Sequence, residues 1–318
     1  MRDDVTRHTA PHRRRRRAGF GPTLVLVHAD TRPGSPRPLD VDALRRALVG
    51  TPDAPYTSLE VLEETGSTNA ESIERAVQGA PDRSVLLAEY QAAGRGRLGR
   101  TWTAPPRTQV ALSVLLRPGA VSPALFGWLP LVTGLAVRDG LVAAGGVDAT
   151  LKWPNDVLVD GCKIAGILSE MTTVPAEGDF SLRLPALVVG LGINVTLTRE
   201  QLPIPHATSL ALAGGTTDRD AVARAVLEAL ARRHDQWRGC ERGSGSSISD
   251  ALLVEYSGAC STLGAEVRVL LPGDVVRTGR ADRVDREGRL VVVTPEGEVA
   301  VAAGDVTHVR PADDRWGG

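Results

Sequence analysis

The chain has 318 residues, 42% of them hydrophobic and 24% charged, with a formal net charge of −1. That length and apolar content support a packed domain of catalytic size plus a small appendage, and exclude wholesale disorder. The near-zero charge excludes binding of polyanions by the whole surface, so any basic site is local.

Cys162, Cys240 and Cys260 are odd in number and lack metal or disulfide spacing. They read as buried or incidental thiols of a reducing compartment, which places the expected location in the cytoplasm. No apolar run approaches the ~18 residues of a membrane span.

Residues 1–38 are Arg- and Pro-rich and read as a flexible extension. Arg13–Arg17 before the apolar stretch 23–27 superficially resembles a twin-arginine export signal. The stretch is shorter than an h-region of ~7–15 residues, and His28-Ala29-Asp30 is a poor cleavage site. Leu39–Val49 reads as a short helix with Asp40 as N-cap. Leu59–Glu63 reads as a strand. Thr68-Asn69-Ala70-Glu71 has the form of a capping box, predicting a helix to about Gln78. Ser84–Tyr90 and Gln109–Leu116 read as strands around a loop. Ala124–Ala144 reads as one core helix. Short strands follow near Ala149–Lys152, Val157–Val159 and Ile164–Glu170, then a buried strand within Pro185–Val195. Asp218–Trp237 and Ile248–Ser257 read as helices around a Gly-Ser loop at 243–247. Five short Val-rich strands close the chain: Glu266–Leu271, Val275–Val284, Leu290–Thr294, Glu298–Ala302 and Val306–Val309. The expected class is α+β, with a mixed-sheet domain at 39–257 and a small β-barrel at 258–312.

The residues that carry chemistry cluster in five segments. Gly94-Arg95-Gly96-Arg97-Leu98-Gly99-Arg100 joins glycines that let backbone approach a ligand to arginines that bind phosphate or carboxylate. It matches G-x-G-x-x-G, but Pro105 and Pro106 prevent a following helix, and no acid lies ~20 residues on. No Gly-Lys-Ser/Thr follows, so it is not a P-loop. Lys152-Trp153-Pro154-Asn155-Asp156 gathers donors and acceptors at a strand-to-turn junction, around a Trp-Pro pair read as extended. Lys163-Ile164-Ala165-Gly166 sets one lysine at the edge of a buried strand, where it either snorkels or enters a site. Gly66-Ser67-Thr68-Asn69 opens a helix, and Gly190-Leu191-Gly192-Ile193-Asn194 ends a strand. Arginine outnumbers lysine 35 to 2, and asparagine occurs only at 69, 155 and 194. All five scarce residues fall within these segments.

In this order the five segments, with Gln91 and Trp102, resemble the biotin protein ligase family over about Leu39 to Arg310. The resemblance implies a class II aminoacyl-tRNA-synthetase-like catalytic domain followed by an SH3-like β-barrel. It implies formation of biotinyl-5′-adenylate from biotin and ATP with Mg²⁺, then transfer of biotin to a lysine of the biotin carboxyl carrier domain of acyl-CoA carboxylase. By the same resemblance Ser67, Thr68, Asn69, Gln91, Arg95, Gly96, Arg97, Lys163 and Gly166 contact biotin. Arg97, Arg100, Trp102, Lys152, Asn155 and Asn194 lie on the nucleotide side. Lys163, Arg95 and Asp156 are the expected catalytic residues, with Asp156 also near the metal and expected to orient or deprotonate the acceptor amine. Pro-rich 31–38 does not supply the helices of a DNA-binding domain, so no specific DNA binding and no membrane association are expected, in a monomer or weak homodimer. The alternatives are a lipoate-type protein ligase and an Arg-rich nucleic-acid regulator. The latter predicts steep salt dependence and leaves Lys152–Asp156 unexplained.

Overall fold

The computed structural model describes residues 36–176, 179–240, 247–271, 275–302 and 305–308. Arg13–Arg17, the signal-like stretch and residues 243–246 of the Gly-Ser loop lie outside them.

Helix α1 (Val41–Leu48) buries Leu44 and Leu48, and Asp40 caps it by accepting from the Ala43 N–H. Seven strands then build one sheet: β1 (Ser58–Thr65), β2 (Ser84–Gln91), β3 (Gln109–Leu116), β4 (Thr150–Lys152), β5 (Asp156–Val159), β6 (Cys162–Ala176) and β7 (Asp179–Asn194). Their order is β1-β2-β3-β7-β6-β5-β4. Only β1 and β2 run parallel; every other neighbouring pair in this sheet is antiparallel.

Alternation along these strands gives the sheet two different faces. Leu87, Leu112, Leu191 and Ile167 point to one side and are buried. Helices α3 (Leu129–Gly140) and α4 (Arg219–Gly239) pack there, closing the main core. The opposite face carries an aligned row across all seven strands: Leu62, Ala88, Ala111, Gly192, Gly166, Asp156 and Lys152. Small residues in its middle leave a trough, and the row ends in charge. Helix α2 (Thr68–Val77) covers part of this face, burying Ala76 against Leu115, Ala186 and Val188.

The single core helix expected over 124–144 is instead three pieces. A 3₁₀ segment at Pro123–Trp128 precedes α3, and a π-helical turn at Leu141–Gly145 follows it. Pro130 has no N–H to give Phe126, whose carbonyl accepts from Leu129 in a tighter turn. The joined run Pro123–Gly145 is long and apolar enough, by length and composition, to cross a membrane. The expectation that no apolar run reaches that length therefore fails. Two-thirds of its apolar window, 67%, is buried within the fold, as a core helix requires. The capping box also fails: Ser67 is the N-cap and Thr68 the first helical residue, with no side-chain cap bond. The Trp153-Pro154 peptide is cis, not part of an extended pair.

A buried ion pair ties the N-terminal segment to the sheet. Arg219 Nη2 lies 2.6 Å from Glu89 Oε2, with side-chain exposures of 4% and 3%. Glu89 also accepts from the Leu39 N–H, and Arg219 donates to the carbonyls of Gln109 and Arg37. Charges so far from water are tolerable only with such partners.

After α5 (Asp250–Ala259), strands β8 (Glu266–Leu271), β9 (Val275–Val284), β10 (Leu290–Thr294), β11 (Gly297–Val301) and β12 (Asp305–His308) form a separate antiparallel sheet. Its order is β11-β10-β9-β8-β12. The turn between β9 and β10 docks on the larger unit. There the Arg286 carbonyl accepts from Trp128 Nε1 and the Gly288 carbonyl from Trp153 Nε1, both at 3.0 Å.

Candidate active site

The polar face of the large sheet opens into a cavity of about 870 Å³. All fifteen residues expected at the site line it: Ser67, Thr68, Asn69, Gln91, Arg95, Gly96, Arg97, Arg100, Trp102, Lys152, Asn155, Asp156, Lys163, Gly166 and Asn194.

The floor is made of glycine because its neighbours leave no room for a side chain. A Cβ on Gly190 would stand 2.1 Å from Asn69 Oδ1, and one on Gly192 would stand 2.4 Å from the Trp102 indole. Gly166 pairs across the strands with Gly192, and a Cβ there would stand 3.0 Å from the indole. Gly190 and Gly192 alternate with the core residues Leu191 and Ile193, whereas in the sequence they stood out only as a Gly-rich strand end.

The N-terminus of α2 stands at one end of this floor. Gln91 Oε1 accepts from the Thr68 N–H at 2.9 Å and from its hydroxyl at 3.1 Å. Thr68 is therefore held by β2 rather than capping its own helix. Asn69 Nδ2 donates to the Leu168 carbonyl and to Glu170 Oε2, while its Oδ1 accepts from Ser113 Oγ at 2.6 Å. Both amide atoms of Asn69 are thus set.

The arginine loop folds back on itself. Gly96 donates to the Arg100 carbonyl, Trp102 donates to the Gly94 carbonyl, and Leu98 takes a left-handed φ of 55° with its side chain 66% exposed. Arg95 reaches Glu170 at 3.3 Å, and Arg97 reaches Asn155 Oδ1 at 3.3 Å. Trp102 lies inward, its Nε1 donating to Gln109 Oε1 at 2.6 Å.

Lys163 reaches the cavity through a strand irregularity. Val157 pairs with Ala165 but Leu158 pairs with Lys163, so Ile164 is an extra residue in β6. Plain alternation would send residue 163 to the core side with Ala165 and Ile167. The bulge returns it to the face of Asp156 and leaves Ile164 buried. Lys163 Nζ then lies 2.6 Å from Asp156 Oδ1 and 5.5 Å from the Trp102 ring centre. The contact is an ion pair rather than a directed hydrogen bond, since Oδ1 has no aligned donor. Lys152 pairs with Asp156 across β4 and β5, which sets the two residues side by side on the same face. Asn155 Nδ2 is committed to the Ile167 carbonyl, and Asn194 Nδ2 to the Thr208 carbonyl.

No group of three metal-ligating side chains occurs among the described residues. Asp156 contributes a single carboxylate, its Oδ1 buried against Lys163 Nζ. That donor set fits Mg²⁺ held mainly by substrate phosphates and not a protein cage. Sequence reasoning missed Glu170, Gln109 and Ser113. Gln109 and Ser113 are the polar residues of the otherwise apolar β3, and Glu170 sits among Ser169, Thr172 and Thr173 on β6; neither pattern tells a site from a satisfied core or surface residue.

The large mixed sheet thus carries a glycine floor with cations beside it, and a second antiparallel sheet follows it. Residues 60–194 match the Biotin/lipoate A/B protein ligase family, and residues 262–309 match the Biotin protein ligase C terminal domain. The chain is 41% identical to the biotin–[acetyl-CoA-carboxylase] ligase of Mycobacterium tuberculosis, over 86% of this chain and 97% of that one. It is 33% identical to the enzyme of the same name from Paracoccus denitrificans, over 77% and 98%. The solved biotin protein ligase of Aquifex aeolicus in complex with biotin and ATP superposes with a TM-score of 0.63 at 28% identity, covering 80% of this chain and all of that one. The chain belongs to the biotin protein ligase family.

Proposed function

We propose that the chain joins biotin to ATP as biotinyl-5′-adenylate and passes the biotinyl group to one lysine of the biotin carboxyl carrier domain of acyl-CoA carboxylase. The observation that carries this reading is the row Gly192, Gly166, Asp156, Lys152 with Lys163 brought onto its face. The glycines seat the Trp102 indole, whose flat apolar surface suits a planar or fused-ring ligand, and the cations beside it suit a carboxylate meeting a phosphate.

In the first step the biotin carboxylate attacks the α-phosphorus and the bond to pyrophosphate breaks. Two anions must meet, and Lys163, Lys152 and the loop arginines offset their repulsion. Mg²⁺, when bound through the triphosphate and Asp156, supplies charge neutralisation for the departing pyrophosphate. Ser67, Thr68, Asn69 and Gln91 hold the ureido head. Arg95, Gly96 and Arg97 close over the adenylate, Gly166 admits it to the strand, and Arg100, Trp102, Asn155 and Asn194 line the nucleotide. The adenylate is a mixed anhydride, so loop closure protects it from water. In the second step the neutral acceptor amine attacks the acyl carbon and AMP leaves. Lys163, once turned from Asp156 to the phosphate, releases that carboxylate to orient or deprotonate the amine.

Residues 39–257 are assigned as the catalytic domain and 258–312 as the C-terminal domain of a cytoplasmic monomer or weak homodimer without specific DNA binding. The family model spans biotin and lipoate ligases, so the test is ATP–pyrophosphate exchange with each acid. Exchange that depends on biotin and not on lipoate is expected. Equal exchange with lipoate overturns the assignment.

A further inference from the structure

Both flanks of Lys152 are bound by residues that follow α5. On one side the Leu151 carbonyl accepts from the Ser261 N–H at 2.8 Å and from Ser261 Oγ at 2.9 Å, and Leu151 forms a parallel bridge with Cys260. On the other side the Trp153 N–H donates to Thr262 Oγ1 at 3.0 Å, and the Trp153 indole donates to the Gly288 carbonyl at 3.0 Å. Thr262 is 0% exposed and is not among the residues lining the cavity, while Trp153, 1% exposed, lines it. The strand carrying Lys152 is three residues long and lies at the sheet edge, with β5 its only strand neighbour in that sheet. Its ladder alone holds it weakly, and the clamp supplies the missing partner on its open side.

We infer that Thr262, with the Trp153 indole, is a positioning residue for the reaction: it sets the backbone of Lys152 so that the ammonium meets the nucleotide phosphates beside Asp156. This rests on the reading of the cleft as an adenylate-forming site. The clamp touches the turn 152–156 and not the α2 end of the trough, where Gln91, Ser113 and Glu170 hold Thr68 and Asn69. Its loss therefore acts on one substrate and not the other.

The test is steady-state exchange on the full chain with Thr262→Val, which keeps shape and deletes the hydroxyl acceptor, and with Thr262→Ser, which restores it. Thr262→Val is expected to raise KM for ATP by about tenfold while KM for biotin stays within about twofold, and Thr262→Ser to return both toward wild type. A lowered melting temperature with both KM values and kcat unchanged overturns the inference, as does an equal rise for biotin and ATP. Should Thr262→Val not fold, Trp153→Phe removes the indole donor together with part of its buried bulk. The same ATP-selective rise supports the inference and unchanged kinetics overturn it. Absence of biotin-dependent exchange in the wild type instead refutes the underlying reading.

Discussion

Substituting Gly190 by alanine puts the packing of the trough to a direct test. The new methyl would stand 2.1 Å from Asn69 Oδ1, where ordinary contact begins at 3.4 Å, so one group must retreat by about 1.3 Å. Gly190 is held in the sheet between β3 and β6, so Asn69 is the part that gives. Its movement breaks the bonds to Ser113 Oγ, the Leu168 carbonyl and Glu170. Overpacking of this kind costs about 1–3 kcal/mol, and lost hydrogen bonds add about 1 kcal/mol each unless water replaces them. With water from the cavity replacing those bonds, a net cost of about 2 kcal/mol lowers the melting temperature by on the order of 5 °C. Displacing a polar contact of the bound acid by more than an ångström is expected to weaken biotin binding by about a hundredfold, or ~2.7 kcal/mol. Calorimetric titration with biotin and a thermal melt measure the two effects. Biotin affinity within about threefold of wild type, in a variant that melts normally, would refute both the crowding and the role given to Asn69.

Lys163→Arg, though it conserves charge, should reduce exchange by about a hundredfold or more, because a planar fork replaces a point charge in a site 2.6 Å from Asp156; near-wild-type turnover would show that charge alone suffices. Glu89→Gln removes one partner of a pair exposed by only 4% and 3%. It should cost about 3–5 kcal/mol in urea unfolding, and a loss under ~1 kcal/mol would contradict the burial argument. Burial among Arg238 and Arg83 holds the His234 imidazole down to about 3 from an ordinary 6.5. The folded state therefore stays neutral while the unfolded chain takes up a proton, and stability from this group is full above pH 6.5 and falls as pH drops toward 3. The urea unfolding free energy of wild type relative to His234→Leu should fall by about 2 kcal/mol between pH 7 and pH 5, and parallel pH profiles would contradict the assignment.

Most strands and helices were legible because alternation and helical spacing are local signals. Gln109–Leu116 has the same bounds in the structure, and Asp218 caps α4 where that helix was expected to begin. Scarcity of Lys and Asn pointed to the same cavity. The sequence did not show how the helix at 123–145 divides: Pro130 was visible in it, but not the 3₁₀ turn that Leu129 closes on Phe126 or the π-turn at Leu141–Gly145. Nor did it show that Thr68 answers to Gln91 rather than to its own helix. Trp153 stands in the motif closest to the chemistry, yet its indole points away to Gly288, a residue 135 positions along the chain.

Chain order and residue type were enough to name the glycines, the arginine loop and both lysines. Their assembly was decided by strand register. One extra residue, Ile164, turns Lys163 from the core face to the face of Asp156, and the pairing of Gly166 with Gly192 aligns the trough beneath it. Alternation is a property of one strand, but register is a relation between strands, and only the folded sheet specifies it.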